Sequence, residues 1–157
     1  MDDFDRPLKK RGKRGACLIG GWLRDHQCVP DLVLSSPAER ARATARKCCK
    51  SAGLDVDQIW WDDRLYMADA QTILNVLSTV PESQQRVMVV GHNPGLETLL
   101  LELLSVPPNV PSDGKLLPTA TLVCLHLNDA WGNIQSHSAT LQRVVRARHL
   151  EPEWQIP

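Results

Sequence analysis

The chain has 157 residues, and its 18 basic side chains are balanced by 18 acidic ones. A chain of this length suits one domain, here residues 1–157, and its near-zero net charge gives no general attraction to nucleic acid or to an anionic membrane. No apolar stretch reaches the roughly 18 residues of a membrane-spanning helix, and the acidic first residues lack the apolar core of a secretory signal. We therefore expect a cytoplasmic protein that binds neither nucleic acid nor membrane; composition leaves its oligomeric state unknown.

The five cysteines are an odd number, and no two of them have the CxxC spacing. A disulfide framework and a zinc site are therefore both poorly supported. We expect reduced, mostly buried thiols and neither a metal nor a cofactor. The cysteines are Cys17, Cys28, Cys48, Cys49 and Cys124.

Helical and extended patterns alternate from the start of the chain. Apolar residues at helical spacing predict a helix over residues 12–26, and the apolar run in residues 31–35 predicts a short buried strand. Ser36 is a plausible cap for a helix that Pro37 opens and that Gly53 stops. The inner face of this second helix carries small side chains, which permits close packing.

The middle of the chain repeats this order. Residues 57–61 form a second predicted strand, and Asp69 caps a predicted helix that extends to about Val80. The continuous apolar run in residues 86–90 is typical of a strand that is covered on both faces. A strongly amphipathic helix over residues 94–105 follows it.

The last third of the chain predicts a hairpin. Residues 106–118 contain four prolines and a glycine and should form a loop. Residues 119–127 and 141–146 are predicted strands, paired through the turn-rich segment 128–133. The whole pattern predicts an α/β, three-layer sandwich with a mostly parallel central sheet, helices on both faces and an antiparallel edge.

The segment Gly91-His92-Asn93-Pro94 is the first candidate site, because it joins the end of a buried strand to the start of a helix. Ligands of open α/β sheets bind at the carboxyl ends of strands, and a helix N-terminus there favours an anion. An imidazole at this point can donate a hydrogen bond to an anion and move a proton near neutral pH. The alternative is that His92 is a polar loop residue beside an ordinary helix start, and this segment alone does not decide between the two.

The segment from Ser35 to Thr44 is the second candidate, and it also runs from a strand end into a helix. Arg40 falls in the first helical turn, where its guanidinium can offer paired donors to phosphate oxygens. A hydroxyl from Ser35 or Ser36 could add a donor. A solvated helix face is the alternative: it is favoured for Arg42 and Arg46, and the choice is about even for Arg40.

Three further features carry weaker signals. The basic segment 5–12 is more consistent with a solvated loop than with a binding site. Trp60-Trp61 is more consistent with packing than with a stacking platform, because no basic residue interleaves the pair. Asp62 and Asp63 are candidates for a general acid, although adjacent acids before a loop usually lie at the surface.

Together these motifs resemble the histidine phosphatase superfamily (phosphoglycerate mutase-like), in particular its SixA-like phosphohistidine phosphatases. The resemblance covers nearly the whole chain, and its specificity comes from the order and spacing of the motifs. The matching segments are Asp5-Arg6-Pro7-Leu8 with Arg11-Gly12, Ser35 to Ala41 with Thr44, Leu65-Tyr66, Gly91-His92-Asn93, Pro118-Thr119-Ala120, and Arg146 to Leu150.

The resemblance implies phosphoryl transfer to an active-site histidine, followed by hydrolysis. It implies that Arg40 grips the phosphate and that His92 hydrogen-bonds to it, with Ser36 and Asn93 as further phosphate-binding candidates. In the family, the nucleophilic histidine follows an arginine at the end of a first strand that lies in the middle of the sheet. No Arg-His pair precedes the basic loop here, so we expect a domain without that first strand, incomplete at its N-terminus, with two strands left unpaired.

These observations predict a phosphatase for phosphohistidine or other phosphomonoesters, which acts on a phosphorylated protein or a small phosphomonoester. We expect residues 1–157 alone to be nearly inactive, and an added strand that ends in Arg-His to restore turnover. One alternative is a non-catalytic phosphate- or phosphoprotein-binding module, and another is a scaffold that uses neither His92 nor Arg40. The short connections after the strands favour an open site suited to a protein-borne phosphoryl group.

Overall fold

The computed structural model describes residues 1–151, so residues 152–157 of the predicted domain lie outside the described residues. None of the described helices is long and apolar enough to cross a membrane. The helices are α1 (Lys10–Asp25), α2 (Glu39–Ala52), α3 (Ala70–Leu77) and α4 (Gly95–Leu103). The strands are β1 (Leu32–Ser35), β2 (Trp60–Trp61), β3 (Val87–Val90), β4 (Thr121–His126) and β5 (Thr140–Arg146). Each of these elements matches one predicted from the sequence.

The strands form two sheets. A parallel sheet has the order β2-β1-β3, with Ser35 of β1 opposite Val90 of β3. The antiparallel pair β4-β5 forms a second sheet, with Thr121 opposite Arg146. The predicted mixed α/β architecture is confirmed. The hairpin, however, is a sheet of its own rather than an edge of the parallel one, because β3 and β4 do not pair with each other.

A cavity of about 620 Å³ lies between β3 and β4. Met88, Val89 and Val90 line it from β3, whereas Thr121 and Leu122 line it from β4. Both strands are therefore hydrogen-bonded along one side only within residues 1–151. The side chains of β3 are only half-buried, although helices cover both faces of its sheet.

Helices pack on both faces of the parallel sheet, as the sequence predicts. Because side chains of a strand alternate between faces, Val33 and Met88 pack toward Ala45 of α2. On the opposite face, Leu34 packs in the cluster that contains Ile73 of α3, together with residues of α4. The continuous apolar strands are thus explained by cover on two sides.

Helices α1 and α2 lie unusually close together. A side chain at Gly20 would place its Cβ 2.2 Å from the backbone oxygen of Cys48, so only glycine fits there. Cys48 is buried beside this contact, whereas Cys49 is buried on the side of α2 that packs on the parallel sheet. The expectation of mostly buried thiols is wrong, because Cys17 is exposed and Cys28 and Cys124 are only half-buried. Burial raises the pKa of Cys48 to about 12 and that of Cys49 to about 11.

The helix ends mostly follow the predicted signals. The Asp69 side chain accepts a hydrogen bond from the backbone N–H of Thr72 at 2.8 Å and caps α3. Gly53 ends α2 in the left-handed conformation, with φ 83°. The predicted cap of α2 is wrong by two residues, because Ala38 occupies the cap position. Ser36 instead accepts a hydrogen bond from the Ala38 N–H at 3.2 Å and keeps its hydroxyl at the end of β1.

Candidate anion site at the carboxyl ends of β1 and β3

The two candidate motifs meet at one edge of the parallel sheet. β1 and β3 are parallel neighbours, so Ser36 after β1 and His92 after β3 emerge at the same edge. The backbone N–H of Ser36 donates to the carbonyl oxygen of Val90 at 3.0 Å, which extends the pairing past the end of β1. This edge is where ligands of open α/β sheets bind.

The imidazole of His92 is held by Ser36. Their Nε2 and Oγ atoms are 2.8 Å apart, and Ser36 is fully buried. One lone pair of the hydroxyl is taken by the Ala38 N–H, so the hydroxyl either donates to a neutral His92 ring or accepts from its N–H. Ser36 therefore fixes the orientation of the ring, whichever tautomer is present.

The environment of His92 favours the neutral imidazole. Burial lowers the pKa of His92 below its usual 6.5, the positive charge of Arg40 lowers it further, and the negative charge of Asp3 opposes both. An anion that binds beside the ring would act in the same sense as Asp3 and raise this pKa.

Arg40 lies in the first turn of α2 and lines the same cavity as His92. Its side chain is 24% exposed. The guanidinium already has a partner, because Nη1 donates to the backbone oxygen of Asp3 at 2.8 Å and Nη2 to its carboxylate Oδ2 at 3.1 Å. Arg40 is therefore not part of a solvated helix face, and the anion it holds in this structure is a carboxylate.

Two residues that the sequence did not identify complete the site. The Tyr66 hydroxyl donates to Asp3 Oδ2 at 2.6 Å, and the Tyr66 ring stands edge-on to His92 with centroids 5.5 Å apart. The hydrogen bond from Tyr66 and the charge of Arg40 lower the pKa of Asp3, while Asp3 raises the pKa of Tyr66. Tyr66 lies in one of the motifs that carried the family resemblance, whereas nothing in the local sequence marks Asp3.

Asn93 lines the cavity, but its amide is engaged elsewhere. Its Nδ2 donates to the carbonyl oxygen of Leu117 at 2.8 Å, and the Leu117 N–H donates to Glu97 at 3.0 Å. Asn93 thus ties the proline-rich loop to the start of α4. Its predicted contact with phosphate remains a prediction.

The weaker candidates lie outside this cluster. Asp62 forms an ion pair with Arg64 at 2.8 Å and caps the following turn. The guanidinium groups of Arg42 and Arg46 lie 5.6 and 5.3 Å from the ring centre of Trp61. No basic residue interleaves the tryptophan pair in the sequence, but α2 places two guanidinium groups over Trp61 from across the fold.

His92 is the one imidazole that lines the cavity within residues 1–151. The other histidines hydrogen-bond outside the cavity or lie in a surface turn: His26 to Trp22, His126 to Asn128, His137 to Leu104, and His149 exposed in the turn after β5. The same part of the chain holds no group of three side chains that could bind a metal.

Residues 2–65 match the sequence profile of the histidine phosphatase superfamily, branch 1. An uncharacterized protein of Mycobacterium tuberculosis is 32% identical over 143 residues, which cover 88% of this chain and 87% of the relative. A protein of Mycobacterium leprae, also uncharacterized, is 30% identical over 142 residues, or 88% of this chain and 85% of the relative.

Solved structures show the same fold. The "putative phosphohistidine phosphatase SixA" of Nakamurella multipartitia is 30% identical and superposes with a TM-score of 0.76, over 93% of this chain and 87% of that one. The protein histidine phosphatase SixA in complex with tungstate is 23% identical, with a TM-score of 0.77 over 96% and 90% of the two chains. The second likeness concerns the fold alone.

Proposed function

Because the chain belongs to the histidine phosphatase superfamily, we propose that it is a phosphatase for phosphohistidine or another phosphomonoester, and that Arg40, Ser36 and His92 bind the phosphoryl group. The observation that carries this proposal is the meeting of a guanidinium and an imidazole at one cavity, where two parallel strands end. Phosphoryl transfer depends mainly on positioning and on electrostatic stabilisation of the equatorial oxygens, which these groups supply.

Each group has a distinct task in this proposal. Arg40 offers paired N–H donors in a fixed plane to two phosphate oxygens. His92, held by Ser36, donates a third hydrogen bond, and the approaching dianion raises its pKa so that the ring takes up a proton and its positive charge. Without a bound phosphoryl group, burial and the charge of Arg40 lower the pKa of His92 and favour its neutral form.

The nucleophile requires a second imidazole, and we propose that a strand ending in Arg-His supplies it from the cavity between β3 and β4. Within residues 1–151 the two strand sides that border the cavity have no partner strand, and the cavity lining is largely apolar, which suits an extended apolar segment. Its lining includes Arg40 and His92, so such a strand would end beside the phosphate. A ring nitrogen would attack phosphorus while the bond from phosphorus to the leaving group breaks, and the leaving group would take a proton from solvent. Water would then attack the phosphorus, which breaks the new P–N bond, releases inorganic phosphate and restores the imidazole.

The proposed substrate is a phosphohistidine side chain of a protein. Two similar solved structures, 30% and 29% identical, are named as putative phosphohistidine phosphatases, which supports this substrate class. Arg40 is partly exposed, so a phosphoryl group can be presented from a protein surface. The five free thiols suit a reducing compartment, and we propose the cytoplasm.

Titration with inorganic phosphate, followed by NMR, tests the binding half of the proposal. Arg40→Ala should weaken phosphate binding about tenfold or more, since hydrogen bonds to charged groups contribute about 1.5–3 kcal/mol. Arg86→Ala removes an equal charge at the opposite end of β3 and should leave binding unchanged. Equal affinity in the Arg40 variant would remove Arg40 from the site.

Turnover tests the catalytic half. Residues 1–157 should release almost no phosphate from an aryl phosphate or a phosphohistidine peptide, whereas the same chain preceded by an apolar strand ending in Arg-His should turn over. A matched strand ending in Arg-Ala should not. Saturable binding of a phosphopeptide without turnover in any of the three would instead support the binding module.

A further inference from the structure

The carboxylate of Asp3 is bound to hydrogen-bond donors of the proposed phosphate site. It accepts hydrogen bonds from Nη2 of Arg40 at 3.1 Å and from the hydroxyl of Tyr66 at 2.6 Å. Arg6 also forms an ion pair with Asp3, through the other carboxylate oxygen. Two cations and one hydroxyl thus converge on a single carboxylate.

The short turn that carries Asp3 covers the site from the N-terminal side. It spans Asp3–Asp5 and packs on α2, with the backbone oxygen of Asp3 also bound to Arg40. The Phe4 ring meets the ring of Tyr66 edge-on, with centroids 5.1 Å apart, and Tyr66 in turn meets His92. The turn therefore touches the proposed site through both its charge and its aromatic ring.

The bond between Asp3 and Arg40 is suited to exchange rather than to permanent support. The side chains are 39% and 24% exposed, and ion pairs open to water contribute little net stability. A carboxylate carries one negative charge and two oxygens, whereas a phosphoryl dianion carries two charges and three oxygens. The dianion can therefore engage Arg40 and His92 together, which Asp3 does not do within the described residues.

We propose that Asp3 is an internal ligand of the anion site, which a phosphoryl dianion must displace before it reaches Arg40. This inference rests on the proposed function, because it assumes that Arg40 is the phosphate-binding group. In this role Asp3 determines specificity: singly charged anions compete poorly with a carboxylate already in place, whereas a dianion with more acceptor oxygens succeeds. The freed turn would then move away from Tyr66.

The test compares inorganic phosphate binding to the full chain and to two charge-matched variants, measured by calorimetry. Asp3→Asn keeps the size of the side chain but removes its charge, and should bind phosphate about fivefold more tightly, the scale of an exposed ion pair. Asp5→Asn loses the same charge from the same turn, where Asp5 is exposed and its side chain has no hydrogen bond within residues 1–151. It should change the affinity much less.

Weaker binding by Asp3→Asn would overturn the inference, because it would mean that Asp3 positions Arg40. Equal gains in the two variants would also overturn it, since a general charge effect would then suffice. A loss of binding in Arg40→Ala together with an unchanged Asp3→Asn would overturn the inference alone. An absence of phosphate binding in the unmodified chain and in every variant would overturn the proposed function as well.

Hydrogen exchange of the unmodified chain provides a second readout that does not depend on the folding of a variant. The backbone N–H groups of Asp5 and Arg6 donate within the turn, to Asp2 and Asp3. Saturating phosphate should accelerate their exchange, while acetate, a singly charged carboxylate, should not do so at the same concentration. Unchanged protection at saturating phosphate would show that Asp3 stays in place and would refute its displacement.

Discussion

An aspartate and an arginine lie near the amino ends of β1 and β3, and another such pair lies near their carboxyl ends. The two pairs have different roles. At the end away from the site, Asp31 accepts from the backbone N–H groups of Gln85 and Arg86, both at 2.9 Å. At the site end, Asp3 and Arg40 bind each other across a surface turn. The first carboxylate satisfies the backbone of the neighbouring chain segment, whereas the second can be replaced by another anion.

This difference shows that residue type does not identify a site. Arg86 donates to the backbone oxygens of Gln27 and Val29 at 3.3 and 3.4 Å, so its charge is used in holding a loop. Arg40 has an imidazole and a cavity as neighbours. A guanidinium becomes a candidate for ligand binding when its partner is replaceable and when a second polar group faces the same space.

The largest expected effect comes from disturbing the packing of the site end. A Cβ at Gly95, the first residue of α4, would lie 1.9 Å from the backbone oxygen of Ala68. Gly95→Ala should therefore lower the free energy of unfolding by about 1–3 kcal/mol, the usual cost of overpacking. Gly21→Ala is the matched control, because its nearest neighbour is 3.8 Å away. Urea denaturation of the two variants measures the difference in unfolding free energy. Equal midpoints for the two variants would mean that the backbone of Ala68 can move away from residue 95 at little cost.

A smaller effect is expected from the opposite end. Asp31→Ala leaves two backbone N–H groups without their shared acceptor and should cost about 1 kcal/mol of unfolding free energy. It should leave phosphate affinity unchanged. Asp3→Ala should do the reverse: the urea midpoint stays nearly constant and phosphate affinity rises. Similar losses of stability in the two variants would contradict the distinction between the two ends.

The smallest effect is a shift in the titration of His92, which can be followed by NMR of its ring carbons. Its pKa should lie below 6.5 and rise when phosphate is added. Arg40→Ala should move the pKa of His92 only part of the way back to 6.5, because burial, which is the larger cause of the shift, remains. The charged and titratable groups around the ring are Arg40, Asp3 and Tyr66.

The same shift makes stability depend on pH. Because the pKa of His92 is lower in the folded state, the unfolded chain binds the proton more readily as pH falls below the usual histidine value. The contribution of His92 to stability is therefore complete above pH 6.5 and is lost as pH falls through the folded pKa. His92→Gln should flatten this part of the pH profile, and an unchanged slope would mean that another group titrates there.

The elements of the fold were predictable because their signals are local. Gly53 stops α2 through its left-handed conformation, and Asp69 caps α3 through a side-chain hydrogen bond three residues away. Arg40 and His92 were predictable as a pair because each follows a strand, and parallel strands end at the same edge.

The features that were missed depend on residues far apart in the chain. Asp3 meets Arg40 across 37 positions and Tyr66 across 63, and an acidic first segment does not reveal such partners. The stacking of Arg42 on Trp61 likewise depends on how α2 lies beside β2.

The two buried thiols of α2, Cys48 and Cys49, can report on local opening of this helix. Alkylating reagents attack the thiolate, and burial raises the pKa of Cys48 to about 12 and that of Cys49 to about 11, so both thiols stay protonated at pH 7. Labelling of these two sulfurs must therefore await local opening of α2, which restores ordinary acidity. The rate at which iodoacetamide modifies these two cysteines therefore reports how often α2 opens locally, and mass spectrometry can follow it.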